Sequence, residues 1–241
     1  RSTLFPYTTL ADLARELLPA AAESPESAAP CVRLVRYPED AEAHLAAAIL
    51  YSFTHLPWEV LRERVAAMPR DRIERIVREA LDRRGPHDPP LRCFEHLTYT
   101  YEIFIDYGAY RDIQRHRMCT QTDQLLTTRH GYLLPPGLAD YGLVEPVAAA
   151  LERAADGYER LARVDPYLAQ YVVPLAYRKR LLVTWNLREI HHFVALRSSR
   201  QGHPSYRRVA LAVWEELNRV HPLLAAFVRR DSADYELARP G

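Results

Sequence analysis

The sequence predicts an α+β fold in which long helices surround a small antiparallel or mixed sheet. Two observations lead to this prediction. Several segments, both early and late in the chain, place apolar residues at the spacing of a helix that is buried on one face. Between them, two segments are rich in aromatic and β-branched residues, a composition that is typical of strands.

The first part of the chain is predicted to be mainly helical. The clearest helix has Pro69 at its start, apolar Ile73, Val77 and Leu81 at helical spacing, and Gly85 as a stop signal. In chain order, the predicted segments are a short helix at 10–18, a low-complexity connector at 19–30, an alternating strand at 31–37, and helices at 39–55, 57–68 and 69–85.

The second part holds the other predicted strands and the closing helices. A helix at 106–117 would place Arg111 and Arg115, which are four residues apart, on one face. The hydroxyl-rich segment 118–142 is predicted to be irregular. The remaining predicted segments are a strand at 93–104, a helix at 144–163, a loop and strand at 171–187, and helices at 187–200 and 204–220.

Length and composition limit the possible classes of protein. With 241 residues we expect one compact domain, made of an N-terminal helical region at 1–85 and a ligand-binding core at 86–241. A net charge of +1 argues against a general nucleic-acid coat protein, and the apolar runs are too short to span a membrane. Three cysteines without a CxxC pair favour a reducing cytoplasm. A sequence that starts without Met is also expected for a domain cut from a longer chain.

A basic stretch, RHRMCTQTDQLLTTRHGY at 115–132, is the strongest functional signal. Arg115, His116 and Arg117 are adjacent, Arg129 and His130 follow, and the stretch contains no lysine. Guanidinium groups bind phosphate in a bidentate way and stay charged when partly buried. The stretch therefore predicts an anion site, although a basic surface at a helix end would have the same composition.

A second polar stretch, LREIHHFVALRSSR at 187–200, raises the possibility of a metal. Glu189 and His192 form an ExxH pair, which is half of a di-iron motif, but the sequence has no second ExxH pair. We therefore predict no metal. The sequence also lacks a GxSxG and a phosphate-binding glycine loop, and Cys119 is a weak candidate for a thiolate activated by its basic neighbours.

Together these stretches resemble the flavin-dependent thymidylate synthases, also called the thymidylate synthase complementing family. Arg115, His116 and Arg117 match the start of that family's RHRxxSxNxxSxRY signature, and Thr120 takes the place of the first serine. Upstream, FEHLTYTYEI at 94–103 is similar to the family's strand containing FEH, which makes His96 the matching histidine. Downstream, residues 174–197 resemble the strand and helix of the family. The resemblance covers about residues 87–215.

The resemblance implies a fold, a reaction and partners. It implies the family's α+β fold, usually a homotetramer with shared sites, and makes 86–241 a flavin- and nucleotide-binding core. The implied cofactor is FAD. The implied reaction is a methyltransferase reaction of nucleotide biosynthesis, in which dUMP is methylated at C5 with methylenetetrahydrofolate while NADPH reduces the flavin. No nucleic-acid polymer and no membrane would be involved.

The resemblance also implies roles for residues at matching positions. Arg197 would be catalytic, because a guanidinium against the pyrimidine can stabilise negative charge that develops on the ring. The implied FAD-binding residues are His96, Arg115, His116, Arg117, Asp123, Asn186, Arg188 and His192. The implied substrate-binding residues are Arg111, Thr127, Thr128, Arg129, Arg180 and Arg197.

Departures from the signature leave two alternatives for the function. The second serine is Thr127 if two residues are inserted in the motif and Leu125 if not, and Thr122-Asp123 replaces an Asn-Glu pair. One alternative is C5-methylation of another uridine nucleotide, such as UMP. The other is a non-catalytic paralogue that binds flavin and nucleotide, for example as one half of a tandem chain. Three further departures are Asp112 in place of a glutamine, His130 in place of a tyrosine and Gln201 in place of a histidine.

Overall fold

A computed structural model describes residues 31–135 and 137–234, together with positions 10, 13, 14 and 16–18. Positions 10, 13, 14, 16 and 17 are helical, in agreement with the predicted short helix. The predicted connector at 19–30 lies outside the described residues. Among the described residues, no helix has both the length and the apolar character needed to cross a bilayer.

One four-stranded sheet forms the centre of the described chain. Its strands are β1 (Val32–Arg36), β2 (Thr98–Asp106), β3 (Cys119–Asp123) and β4 (Arg178–Asn186), in the spatial order β1-β2-β4-β3. All three neighbouring pairs are antiparallel. The sheet is therefore antiparallel rather than mixed, and the predicted α+β class is confirmed.

Helices surround this sheet as predicted. Three short 3₁₀ turns complete the described secondary structure, at Arg92–His96, Leu138–Tyr141 and Gln170–Val172. The helices are α1 (Ala41–Tyr51), α2 (Trp58–Ala66), α3 (Arg70–Leu81), α4 (Tyr107–Ile113), α5 (Val144–Ala162), α6 (Pro166–Ala169), α7 (Leu187–Arg197), α8 (Pro204–Val220) and α9 (Pro222–Ala225).

The main core covers one face of the sheet. Alternate residues of the two central strands point into it, because successive side chains of a strand face opposite sides. Trp185 is fully buried and stacks on Phe193 of α7, with ring centroids 4.5 Å apart. The core includes Leu45 of α1 and Val213 of α8, so residues on both sides of position 85 contribute to it. The boundary proposed at 85 stays a prediction.

The central strands determine where α4 and α7 begin. β2 and β4 pair along their full lengths, from Thr98 opposite Asn186 to Asp106 opposite Arg178. Since α4 follows β2 directly and α7 follows β4 directly, the two helices start at opposite ends of this strand pair. Their C-terminal ends meet, where Arg197 donates a hydrogen bond to the carbonyl oxygen of Asp112.

Three predicted boundaries were wrong. The strand predicted at 93–104 begins at Thr98, and His96 belongs to the preceding 3₁₀ turn rather than to a strand. The helix predicted at 106–117 ends at Ile113, so Arg115 lies beyond it and shares no helix face with Arg111. The segment predicted to be irregular contains β3, whose side chains are polar on both faces. An edge strand of that composition has no apolar alternation, and only its pairing with β4 defines it.

Candidate functional site

The turn after α4 separates the three residues of the Arg-His-Arg motif. Asp106 caps α4, since its Oδ1 accepts a hydrogen bond from the backbone N–H of Ala109 at 2.8 Å. After Ile113 the chain turns toward β3, and His116 points inward with 4% of its side chain exposed. Arg115 points outward with 71% exposed, and Arg117 is exposed as well. Only the histidine of the motif is therefore part of the buried structure.

Helix α7 supplies most of the remaining site. Asn186 is its N-cap, and the side-chain Oδ1 accepts a hydrogen bond from the N–H of Glu189 at 2.8 Å. Asparagine is among the preferred N-cap residues because its side chain satisfies one of the first backbone donors. The helix then places Glu189, His192 and Arg197 where they line or approach the turn that holds His116.

A hydrogen-bonded chain, the His116 cluster, joins α7 to this turn. It consists of Glu189, His116 and Arg197, whose side chains are largely buried, and of Asp112, whose side chain is 33% exposed. The Nδ1 atom of His116 lies 2.9 Å from Oε1 of Glu189. On the other side of the ring, Nε of Arg197 donates to Nε2 of His116 at 3.0 Å. The guanidinium also donates to the Asp112 carbonyl at 2.9 Å and has NH1 3.7 Å from the carboxylate of Asp112.

The same histidine takes part in the one metal-like cluster found among the described residues. Ligand atoms of His116, Glu189 and His192 lie within 4.8 Å of one another, which is the ligand type of a two-histidine, one-carboxylate site. However, Arg197 donates to Nε2 of His116, which requires the proton of a neutral ring to be on Nδ1. A metal on Nδ1 would displace that proton and lie close to a guanidinium cation. The arrangement thus favours a hydrogen-bonded network over a metal ligand set.

A cavity of about 380 Å³ opens beside α7, near the low end of the ~300–1,000 Å³ range of ligand pockets. Arg188 forms part of its wall, with Nε donating to the Pro90 carbonyl at 2.9 Å and NH1 donating to Glu95 at 3.1 Å. Arg229 donates to the carbonyls of Gly85 and Pro86. The wall is completed by Arg84, His87, Asp88, Pro89, Met118, Asn186, Glu189, His191, His192 and Ala195.

His191 lies at this cavity as a buried neutral imidazole. It is 4% exposed, and neither ring nitrogen has a hydrogen-bond partner among the described residues. Burial, together with the charges of Arg84 and Arg229, lowers the pKa of His191 to about 3. A buried unpaired polar group is costly. Three arginines line this cavity beside three carboxylates, and the imidazole of His191 adds ring nitrogens that have no hydrogen-bond partner among the described residues. The wall therefore offers charged and hydrogen-bonding groups to a polar ligand.

The threonine-rich segment, residues 119–135, is built differently. Arg129 pairs with Glu159 of α5, with Nε 3.0 Å from Oε1, and both side chains are more than 40% exposed. The Arg129 hydrogen bond lowers the pKa of Glu159. The backbone N–H of Arg129 donates to Oγ1 of Thr127 at 3.1 Å, and Thr128 is buried.

Asp123 and Arg180 also have protein partners. Tyr110 donates a short hydrogen bond to Asp123, and Nζ of Lys179 lies 3.5 Å from the same carboxylate. Burial, followed by the bond to Asp123, raises the pKa of Tyr110; burial lowers the pKa of Lys179. Arg180 pairs with Glu102 at 3.1 Å on the other face of the sheet from the main core.

The structure therefore brings together five of the predicted site residues, namely His116, Asn186, Arg188, His192 and Arg197. It places the rest elsewhere, on the 3₁₀ turn before β2, on α4 and the turn after it, in the threonine-rich segment or on β4: His96, Arg111, Arg115, Arg117, Asp123, Thr127, Thr128, Arg129 and Arg180. Sequence reasoning assigned no cofactor- or substrate-binding role to Glu95, Glu189 or His191. The ExxH pair pointed to Glu189, but only as a metal ligand.

Cys119 has no sign of activation. Burial raises the pKa of its thiol, and Sγ donates to the His116 carbonyl at 2.8 Å. The hypothesis that basic neighbours lower this pKa was wrong, because Arg115 and Arg117 point into solvent.

Fold and site together define a class: an α+β protein with an antiparallel sheet and an arginine-lined cavity beside the helix that follows its central strand. Residues 33–223 match the family described as "Thymidylate synthase complementing protein". The chain belongs to this family, as the resemblance predicted.

Curated relatives fall into two groups. The chain is 36% identical over 211 residues to a UPF0159 protein of Chlamydia muridarum, and 34% identical over 214 residues to one of Thermoplasma acidophilum. These matches cover 86% of this chain but only 40% and 43% of those relatives, so the chain spans less than half of their length. A protein of Saccharolobus solfataricus named flavin-dependent thymidylate synthase is 29% identical over 202 residues, which are 80% of this chain and 74% of the relative.

Proposed function

We propose that this chain binds FAD and methylates a uridine nucleotide at C5, with dUMP as the first candidate substrate and methylenetetrahydrofolate as the one-carbon donor. One observation carries the proposal. Residues matched to the family in separate segments, His116 in one and Asn186, Arg188 and Arg197 in the other, converge around one cavity and one buried cluster. Relatives named flavin-dependent thymidylate synthases support the reaction class.

The FAD site proposed here is centred on the cavity beside α7. Asn186, Arg188 and His192 would hold one end of the cofactor, with Arg84 and Arg229 adding positive charge for a diphosphate. When bound, the flavin, reduced by NADPH, supplies the electrons for the reductive step. Arg115 and Arg117 point away from this cavity, and we propose that they serve a site shared with a neighbouring copy in a homotetramer. A cytoplasmic location is part of the same proposal.

The nucleotide site proposed here uses Arg197 for the pyrimidine. Its guanidinium would lie against the ring and favour the form with negative charge, which forms only during the reaction. Arg129 and Arg180, aided by Thr127, Thr128 and Arg111, would bind the phosphate. Arg129 would have to leave Glu159, and this is cheap because an exposed pair is worth only about 0–1 kcal/mol.

Because of the departures from the signature, we propose UMP as a second candidate substrate. The Asp112 carboxylate lies 3.7 Å from the guanidinium groups of both Arg197 and Arg115. A carboxylate accepts hydrogen bonds and cannot donate them, so it would suit a substrate with an additional hydroxyl donor, such as UMP. The greater length of the UPF0159 relatives favours a third candidate, a paralogue that binds ligand but needs the remainder of a longer protein for catalysis.

Two measurements test the proposal. The absorption spectrum and an FAD titration show whether the chain is a flavoprotein. Tritium release from C5-labelled dUMP and UMP, with reduced flavin and methylenetetrahydrofolate, then identifies the substrate. Release from dUMP is expected. Release from UMP alone would support the second candidate, while flavin binding without release from either would support the paralogue. Absence of flavin binding would contradict all three.

A further inference from the structure

We infer that Glu189 and His116 are positioning residues for Arg197, and that His116 acts as a hydrogen-bond acceptor inside the protein rather than as a direct cofactor contact. This inference deepens the proposed function, because it rests on the role proposed for Arg197 at the nucleotide. It starts from the burial of the cluster: 4% of the His116 side chain, 10% of Glu189 and 15% of Arg197 are exposed.

The hydrogen-bond donors around His116 determine which ring nitrogen carries the proton. Arginine has no acceptor atom, so its Nε–H must donate to Nε2 of His116 across the 3.0 Å separation. A neutral imidazole that accepts at Nε2 carries its proton on Nδ1. That proton points at Oε1 of Glu189, 2.9 Å away. Glu189 therefore selects the tautomer that Arg197 requires.

The alternative tautomer would break this chain of bonds at both ends. With the proton on Nε2, two N–H donors would face each other at Arg197, and Nδ1 would face a carboxylate with two lone pairs. In a buried position neither clash is relieved by water. The backbone N–H of Glu189 donates to Oδ1 of the N-cap Asn186, so the backbone that carries this carboxylate is anchored at the start of α7.

The cluster leaves part of the guanidinium available. Nε is engaged by His116, and one N–H of NH2 donates to the Asp112 carbonyl at 2.9 Å. The Cζ atom of Arg197 lies over the ring of Tyr206, 5.2 Å from the ring centroid. An arginine has five N–H groups. Two of these N–H groups donate to the neutral acceptors, Nε2 of His116 and the Asp112 carbonyl, and the two bonds fix the plane of the guanidinium. The other three N–H groups remain for a ligand or for the more distant Asp112 carboxylate.

The first test needs no ligand. In the purified chain with ¹⁵N-labelled histidine, the His116 signal is identified by its loss in His116→Asn. We expect a neutral ring protonated on Nδ1. In Glu189→Ala we expect this signal to show a mixture of tautomers. A wild-type ring protonated on Nε2, or on both nitrogens at neutral pH, overturns the inference and leaves the proposed function standing.

The second test is a double-mutant cycle on dUMP binding, measured by calorimetry with FAD present. Glu189→Ala should weaken binding by about 3- to 100-fold, the range for directly coupled residues. In an Arg197→Ala background the same change should have less than about a twofold effect. Equal effects in both backgrounds overturn the inference, because a residue that only stabilises the fold would act in both.

Two variants separate the hydrogen bond from general helix effects. Glu189→Gln keeps an oxygen acceptor for Nδ1–H and should stay within about threefold of wild type; a loss as large as that of Glu189→Ala would overturn the inference. Glu145→Ala removes an exposed acid from the first turn of α5, as Glu189 lies in the first turn of α7, and should change nothing. If wild type binds neither dUMP nor UMP, the proposed function fails, and the nucleotide role assigned to the cluster fails with it.

Discussion

The His116 cluster and the threonine-rich segment at 119–135 hold predicted ligand residues in opposite ways. In the cluster, buried groups fix Arg197 through short bonds to neutral acceptors. In the threonine-rich segment, Arg129 is paired with an exposed glutamate. A buried polar network costs much to rearrange, whereas a solvent-exposed ion pair costs little. From this comparison we predict that the pyrimidine end of the proposed site is preformed and that the phosphate end rearranges when nucleotide binds.

The largest effect should come from the preformed region. Arg197→Ala should lower turnover by about 10²–10³-fold, the range seen when one donor to a developing negative charge is removed. Its effect on dUMP affinity should be smaller, because the lost contact is strongest in the transition state. Steady-state tritium release and calorimetry measure the two quantities. Equal losses in both would mean that Arg197 only binds the nucleotide.

FAD affinity should show the next largest effect. Arg188→Ala removes a cavity-wall cation and should weaken FAD by roughly 1.5–3 kcal/mol, as for a charge-assisted hydrogen bond. Arg117→Ala should weaken FAD binding by a similar amount if neighbouring copies of the chain share the site. Arg62→Ala is the matched control, since Arg62 is an exposed arginine on α2. Flavin titrations that match wild type for both Arg188→Ala and Arg117→Ala would contradict the proposed cofactor site.

Stability should depend on pH through His191. Its pKa is about 3 in the folded protein, against an ordinary 6.5. The unfolded chain therefore binds a proton that the folded chain excludes between pH 6.5 and 3, and stability is lost as pH falls through this range, by at most about 1.4 kcal/mol per pH unit. Burial also lowers the pKa of His44 and His221, which act in the same direction. Urea unfolding at pH 7 and pH 5 should show a smaller pH effect in His191→Leu than in wild type; an unchanged pH effect would contradict the buried neutral ring.

The smallest expected effect concerns the exposed ion pair of the threonine-rich segment. Glu159→Gln weakens the exposed pair with Arg129 and should change the free energy of unfolding by less than about 0.5 kcal/mol. By weakening this contact of Arg129 it should tighten dUMP binding slightly, by about twofold. Calorimetry measures this change, with Glu145→Gln as control. Weaker binding in Glu159→Gln would indicate that Glu159 orders the segment rather than restrains it.

Much of the fold follows from local pattern. The spacing of Ile73, Val77 and Leu81 predicts α3, whose buried residues include the last two. The aromatic and β-branched composition predicted β2, and the side chains of β4 alternate because one face of the sheet is buried against the main core. The family was identified from three short motifs, which stand in the order of the family.

The sequence by itself determined the helices, the central strands and the family, because period and motif are properties of neighbouring residues. Only the tertiary structure decided that β3 is a strand, since its polar residues gain a pattern only through pairing with β4. It alone decided that His116 lies between Glu189 and Arg197, residues 73 and 81 positions away. No local pattern predicts this contact. It forms because α4 and α7 start at opposite ends of one strand pair and their C-terminal ends lie close together.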